Sequence, residues 1–122
     1  MYDLKALVYG AAVGDALGVP FEFQGRNTFR CTHMSSGGVH GMPAGTFSDD
    51  TSLLIATCDS IRACNGEIDT NDMSNRFCNW LNNGDYAIDA RYLMSAMLPP
   101  PHSTKGAASP TSNPTATARL CE

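Results

Sequence analysis

Basic residues are scarce in this sequence and form no cluster. Of 122 residues only 8 are Lys or Arg, against 12 Asp or Glu, and the formal net charge is -4. Affinity for nucleic acid rests on clustered Lys and Arg side chains that neutralise phosphates. The composition therefore argues against a nucleic-acid partner.

Paired cysteines are also missing. The chain has 5 cysteines, an odd number, and none of them forms a C-x-x-C pair. Neither a zinc site nor a closed disulfide framework is therefore indicated. Reduced thiols fit this pattern best, and we expect a cytoplasmic protein.

The sequence lacks a long uninterrupted hydrophobic run. Its most apolar early stretch, residues 4–21, contains Lys5 and Asp15. It therefore matches neither a membrane span of about 20 apolar residues nor a basic-then-apolar signal peptide. We expect a soluble chain with no membrane partner. With 43% hydrophobic residues it can form one small globular core.

Apolar residues at spacings of three and four predict a first helix over residues 3–17. Asp3 can cap this helix, and Gly18 with Pro20 would end it. The apolar positions on its predicted face are Leu4, Leu7, Val8, Ala11, Ala12 and Leu17.

Residues 21–47 show no sustained hydrophobic periodicity. They therefore predict a long ordered loop, a kind of segment that is often functional.

Two further helices are predicted, so the fold class is all-α. The second runs from Asp49 to about Ala63, with an apolar stripe of Leu53, Leu54, Ile55, Cys58 and Ile61. The third runs over residues 70–81, with Thr70 as its cap and Asn83-Gly84 as its stop. Its inward side chains are predicted to be Met73, Phe77, Trp80 and Leu81.

The composition changes after Arg91. Five of the 7 prolines and only three charged residues lie in residues 92–122. We therefore predict a domain portion over 1–91 and a disordered tail over 92–122.

The segment Ser48-Asp49-Asp50-Thr51 is the sharpest local feature. A hydroxyl and two adjacent carboxylates meet the positive end of a helix dipole there, and Mg²⁺ takes oxygen ligands of this kind. Neighbouring carboxylates suit a site for two metal ions. The alternative is plain N-capping, for which Ser, Asp and Thr are favoured regardless of function.

A second feature is the run G-D-A-L-G-V-P-F-E, residues 14–22, which contains Asp15 and Glu22. Burying a lone carboxylate is costly. Asp15 therefore points to solvent, is hydrogen-bonded to the loop, or faces a site. The loop histidines His33 and His40 are expected to be surface residues rather than ligands.

Together, G-D-A-L-G-V-P-F-E and the later G-T-F-S-D-D-T resemble the ADP-ribosylglycohydrolase family over roughly residues 4–91. The resemblance implies an N-terminal portion of an orthogonal helical bundle that holds two Mg²⁺ ions. It also implies hydrolysis of the bond joining ADP-ribose to a side chain. The partner would be an ADP-ribosylated protein or an ADP-ribosyl small molecule.

The resemblance assigns roles by position. Ser48, Asp49 and Asp50 match the first metal-ligand cluster, and Asp50 and Glu22 are the implied catalytic residues. Asp15 and Glu22 are the implied substrate-binding residues. The family more often has Thr at position 48 and Trp or Tyr at position 47. Ser48 retains the hydroxyl oxygen.

The chain departs from the family after residue 91, where the F-D-x-G-x-x-T-x-x-A-L and N-G-x-x-M-R segments are missing. Back-translation of residues 92–122, read one base earlier, allows V-F-D-V-G-N-A-T-A-T-A-L and a final N-G-N-G-S-L-M-R. We interpret the tail as out of frame. Sequencing the DNA across the Arg91 codon tests this, and an intact frame with no family-like shifted reading would refute it.

Two functions remain open from the sequence. One is an enzyme in which Mg²⁺ anchors the ribose and activates water while carboxylates take up the proton. The other is a truncated, catalytically inactive fragment or a non-enzymatic relative with half a metal site.

Overall fold

The computed structural model describes residues 3–89, which form three α-helices joined by loops. Helix α1 spans Leu4–Gly18, α2 spans Asp49–Ala63 and α3 spans Thr70–Asn83, with a short 3₁₀ turn at Val19–Phe21. The described residues contain no strand, so the predicted all-α class is confirmed. The predicted boundary at residue 91 and the tail over 92–122 lie outside the described residues.

The first two helices begin where the sequence predicts. The Asp3 carboxylate accepts a hydrogen bond from the Lys5 amide at 3.0 Å. Ser48 precedes α2, and its Oγ accepts from the Asp50 amide at 3.4 Å. Both caps satisfy amides that have no partner inside the helix.

The start of α3 corrects the prediction. Thr70 is the first residue of the helix rather than its cap. The Asp69 carboxylate caps it by accepting from the Asn71 and Asp72 amides at 2.9 and 3.2 Å. At its other end the helix runs two residues past the predicted Leu81 to Asn83. Gly84, at φ 76°, closes it as predicted, in the left-handed conformation that glycine favours.

Helix α2 lies between the other two helices and packs against both. Its most buried face consists of small side chains: Ser52, Ala56 and Ser60, each at most 2% exposed. The predicted apolar stripe, from Leu53 to Ile61, is only half-buried. Helix spacing depends on side-chain size at the contact, so this face suits a close approach. On α3, Trp80 is buried as predicted, at 6% exposure.

Much of the apolar surface of α1 faces outward. Leu4 and Leu7 are 67% and 60% exposed, and Tyr9 and Val13 are exposed as well. By length and composition alone Leu4–Phe21 could cross a membrane, with a mean hydropathy of 1.2. Core helices and signal sequences share this property, so it is weak support for a membrane span.

The loop between α1 and α2 folds back onto the 3₁₀ turn. Gly37 and Met42 face each other in an isolated antiparallel bridge, and the Gly37 amide donates to the Met42 carbonyl at 2.8 Å. Gly38 has φ +71°, and a Cβ there would lie 2.5 Å from the Pro20 carbonyl oxygen. Only glycine therefore lets this turn lie so close to the 3₁₀ turn.

Candidate functional site

The segment from Ser48 to Thr51 divides into a buried pair and an exposed pair. Ser48 and Thr51 are 4% and 3% exposed. Asp49 and Asp50, between them, are both exposed. Residues three apart share one helix face, so the hydroxyls turn inward while the two carboxylates stay accessible.

The buried pair is held by Asp15, in the C-terminal half of α1. One carboxylate oxygen, Oδ2, accepts from the Ser48 amide at 2.9 Å, the Thr51 amide at 3.1 Å and the Thr51 hydroxyl at 2.6 Å. The other, Oδ1, accepts from the Ser48 hydroxyl at 2.6 Å. A negative charge is also favoured at the positive end of α2. Asp15 thus caps α2 from a neighbouring helix.

This geometry selects one of the three alternatives left open for Asp15, because its carboxylate is hydrogen-bonded to the turn that starts α2. The four hydrogen bonds engage both carboxylate oxygens, three at Oδ2 and one at Oδ1. The structure therefore shows a positioning contact at Asp15. Its assignment as a substrate-binding residue stays a prediction.

The Ser48 hydroxyl makes two hydrogen bonds in the structure. Its hydroxyl donates to Asp15 and accepts from the Asp50 amide at 3.4 Å. A serine oxygen has two lone pairs, so one of them is not engaged in these two bonds. Its role as a metal ligand stays a prediction.

Asp49 and Asp50 offer the oxygen chemistry that Mg²⁺ requires. They stand exposed in the first turn of α2, where the Asp15 contacts fix the backbone. Among residues 3–89, however, no group of three or more His, Cys, Asp or Glu side chains is placed to hold a metal ion. The described donors thus fit one side of a metal site, and an enclosed ion needs further oxygen ligands.

Glu22 lies directly after the 3₁₀ turn and is paired with His40. The His40 Nε2 is 2.9 Å from the Glu22 Oε2, and the His40 side chain is 4% exposed while that of Glu22 is 33% exposed. The prediction that His40 is a surface residue is therefore wrong. The close docking of the Gly37–Met42 turn carries it inward. His33 is exposed as predicted.

A second charged cluster links α2 to α3 away from these residues. Arg76 of α3 donates to Asp59 of α2, to Asp72 and to the Tyr86 hydroxyl. Asp59 also accepts from Arg62 and from Tyr86. Solvent reaches the cluster, since the side chains of Arg76 and Asp59 are 20% and 26% exposed.

The hydrogen bonds of this cluster shift the pKa values of its members. The Arg62 hydrogen bond and then that of Tyr86 lower the pKa of Asp59. The Arg76 hydrogen bond, followed by Ser60, lowers the pKa of Asp72. The pKa of Arg76 is raised, chiefly by Asp72. All of these groups therefore favour their charged forms in the folded protein.

Sequence reasoning missed two residues at the candidate site, Thr51 as a donor to Asp15 and His40 as the partner of Glu22. The sequence did contain a signal for Thr51. This residue lies one helical turn after Ser48. In addition, Asp15 lacks a partner within its own apolar helix. No sequence signal pointed to His40, since its pairing depends on the fold of the intervening loop.

A family model and curated relatives match this chain. The family model for ADP-ribosylglycohydrolase matches residues 3–119. An ADP-ribosylarginine hydrolase, Tri1 from Pseudomonas putida (strain GB-1), is 30% identical over 87 residues, covering 71% of this chain and 23% of the relative. Its counterpart from Serratia proteamaculans (strain 568) is 28% identical over 87 residues, covering 71% of this chain and 24% of that relative. No solved structure matches the chain.

The chain thus spans about a quarter of the length of these curated relatives. The family match continues beyond the described residues to position 119, and the out-of-frame interpretation of the tail stays a prediction. Since the model match covers nearly the whole sequence and the helices form the expected all-α arrangement, the chain belongs to the ADP-ribosylglycohydrolase family.

Proposed function

We propose that this chain belongs to a Mg²⁺-dependent hydrolase that removes ADP-ribose from the arginine side chains of modified proteins. Family membership supports the hydrolase class, and the names of two relatives support arginine as the modified residue. One observation carries the site assignment: Asp15 fixes the first turn of α2 so that Asp49 and Asp50 remain exposed.

The proposed roles follow from the chemistry of each side chain. Asp49 and Asp50, with the Ser48 oxygen, would hold the ions, of which the family resemblance implies two. Bound Mg²⁺ would supply a Lewis acid for the ribose and a more acidic water. Glu22 and Asp50 are the carboxylates proposed to accept a proton during turnover. Asp15 keeps the α2 turn in place.

The proposed substrate has two forms. An ADP-ribosylated protein presents ADP-ribose on a flexible arginine, and an ADP-ribosyl small molecule presents the same linkage without the protein. The exposure of both Asp49 and Asp50 leaves room for either substrate to approach.

A second candidate is a catalytically inactive fragment with half a metal site. One observation favours it: among residues 3–89, no three His, Cys, Asp or Glu side chains lie close enough together to hold an ion. In such a fragment Asp49 and Asp50 would bind Mg²⁺ weakly, because water would fill the other positions around the ion.

One assay separates these two functions. Release of ADP-ribose from an arginine-modified protein is measured for the full chain in millimolar Mg²⁺ and in EDTA. The enzyme proposal predicts Mg²⁺-dependent release that falls at least about 100-fold in Asp49→Asn and Asp50→Asn, since even indirect partners of metal ligands contribute about 10- to 100-fold. Asp85→Asn, at an exposed position outside the site, is the control and should retain the wild-type rate.

The opposing outcomes are equally clear. Normal turnover of Asp49→Asn and Asp50→Asn in EDTA would refute the metal-site assignment. Absence of turnover together with weak Mg²⁺ binding that Asp49→Asn abolishes would support the fragment.

A further inference from the structure

His40 has surroundings that its position in a long polar loop does not suggest. Its side chain is 4% exposed, although residues on both sides of it are exposed. Such burial of a polar ring requires hydrogen-bond partners. The Glu22 carboxylate, 2.9 Å from Nε2, is one of them.

The direction of this hydrogen bond follows from the donor inventory. An ionised carboxylate only accepts hydrogen bonds, so Nε2 of His40 carries the proton and donates it to Glu22 Oε2. The charged acceptor makes this bond stronger than one between neutral groups.

Two further features position the turn and the ring of His40. The turn between Gly37 and Met42 that carries His40 is docked on Pro20, where even a single Cβ at Gly38 would lie 2.5 Å from the carbonyl oxygen. The Phe23 ring stands edge-on to the imidazole, with centroids 6.0 Å apart and planes at 62°. The docked turn therefore places the imidazole beside Glu22.

We propose that His40 is a positioning residue that holds the Glu22 carboxylate in one orientation for the hydrolase reaction. The Glu22 side chain is 33% exposed and that of His40 only 4%, so the imidazole supports the carboxylate from its protein side and leaves the rest of it accessible. The inference rests on the proposed function for its catalytic meaning. The pairing itself stands on geometry.

The kinetic test compares substitutions at two histidines of the same loop. His40→Leu removes the donor, and we expect kcat to fall about 10- to 100-fold, by analogy with residues that hydrogen-bond and orient metal-ligating side chains, with KM changed less. His40→Gln keeps an N–H donor and should restore most of kcat. His33→Leu, at an exposed histidine, is the matched control and should leave both constants unchanged.

A spectroscopic test does not depend on turnover. Ring ¹⁵N chemical shifts of His40 in the full chain should show a protonated Nε2 whose resonance moves in Glu22→Gln and not in Glu67→Gln, at an exposed glutamate elsewhere. If the wild-type chain is inactive, the proposed function fails while this shift still supports the pairing. An unperturbed His40 resonance in Glu22→Gln, or an unchanged kcat in a folded His40→Leu variant, would overturn the inference.

Discussion

The two helix junctions of the described region both use aspartates, but in different environments. At the α1–α2 junction Asp15 faces side chains that are at most 4% exposed, and all of its hydrogen bonds go to one turn. At the α2–α3 junction Asp59 and Asp72 face Arg76 in a cluster that solvent reaches.

Because the two junctions differ in burial, they restrict the chain to different degrees. Hydrogen bonds from buried donors to a charged acceptor are costly to leave unmade, so Asp15 strongly restricts the turn that carries Asp49 and Asp50. Ion pairs that solvent reaches are screened by salt, although a network of several charges contributes more than an isolated surface pair. The α2–α3 cluster therefore assists helix packing, whereas the Asp15 contacts determine the geometry of the candidate site.

Asp15→Ala should have the largest effect on stability. It removes the acceptor for two backbone amides and two hydroxyls, and we expect the free energy of unfolding to fall by about 3 kcal/mol, given about 1.5–3 kcal/mol for a hydrogen bond to a charged group. Asp15→Asn, which keeps one carbonyl acceptor, should lose less. Denaturant unfolding measures both variants, with Asp85→Ala as the control. A loss below about 1 kcal/mol for Asp15→Ala would mean that the buried turn does not depend on Asp15.

Acid should weaken the α2–α3 junction. The lowered pKa values of Asp59 and Asp72 mean that their contribution to stability is present above the unfolded pKa of about 3.9 and is lost as pH falls through the folded values. Arg76→Gln removes the shared cation and should make unfolding less dependent on pH below about pH 4. Thermal unfolding between about pH 2 and pH 6 tests this, with the exposed Arg26→Gln as control. Equal pH dependence in wild type and Arg76→Gln would contradict the assignment.

The smallest expected effect concerns the start of α3. Asp69→Ala removes a carboxylate that accepts from the Asn71 and Asp72 amides, so unfolding should become easier by about 1 kcal/mol, as for other N-caps. Thr70→Ala, inside the helix, should change stability by no more than about 0.5 kcal/mol. If chemical denaturation showed a larger loss of stability in Thr70→Ala than in Asp69→Ala, Thr70 would be the cap.

The sequence predicts the helices because their signals are local. The bounds of α2 and the Gly84 stop of α3 were predicted correctly, since capping side chains act on amides within a few residues. The cap of α3 was misplaced by one residue because Asp69 and Thr70 are both favoured at that position.

The site was less predictable because its contacts join distant positions. Ser48 and Thr51 lie 33 and 36 residues from Asp15, and His40 lies 18 residues from Glu22. Periodicity gives no information about such pairs. It also favoured Leu53 over Ser52 as a buried residue, whereas the small side chain occupies the tight helix contact.

One measurement tests whether Asp15 sets the geometry of the candidate site. The rate of ADP-ribose release from ADP-ribosylarginine is compared among wild type, Asp15→Asn and Asp59→Asn at a temperature where all three are folded. We predict Mg²⁺-dependent release by wild type and a loss of at least about 10-fold in Asp15→Asn, since small displacements of catalytic groups can cost about 100-fold. Asp59→Asn should lose less than about twofold, because Asp59 lies in the α2–α3 cluster, away from the candidate site. Equal losses in the two variants, or no release by the wild-type chain, would contradict this prediction.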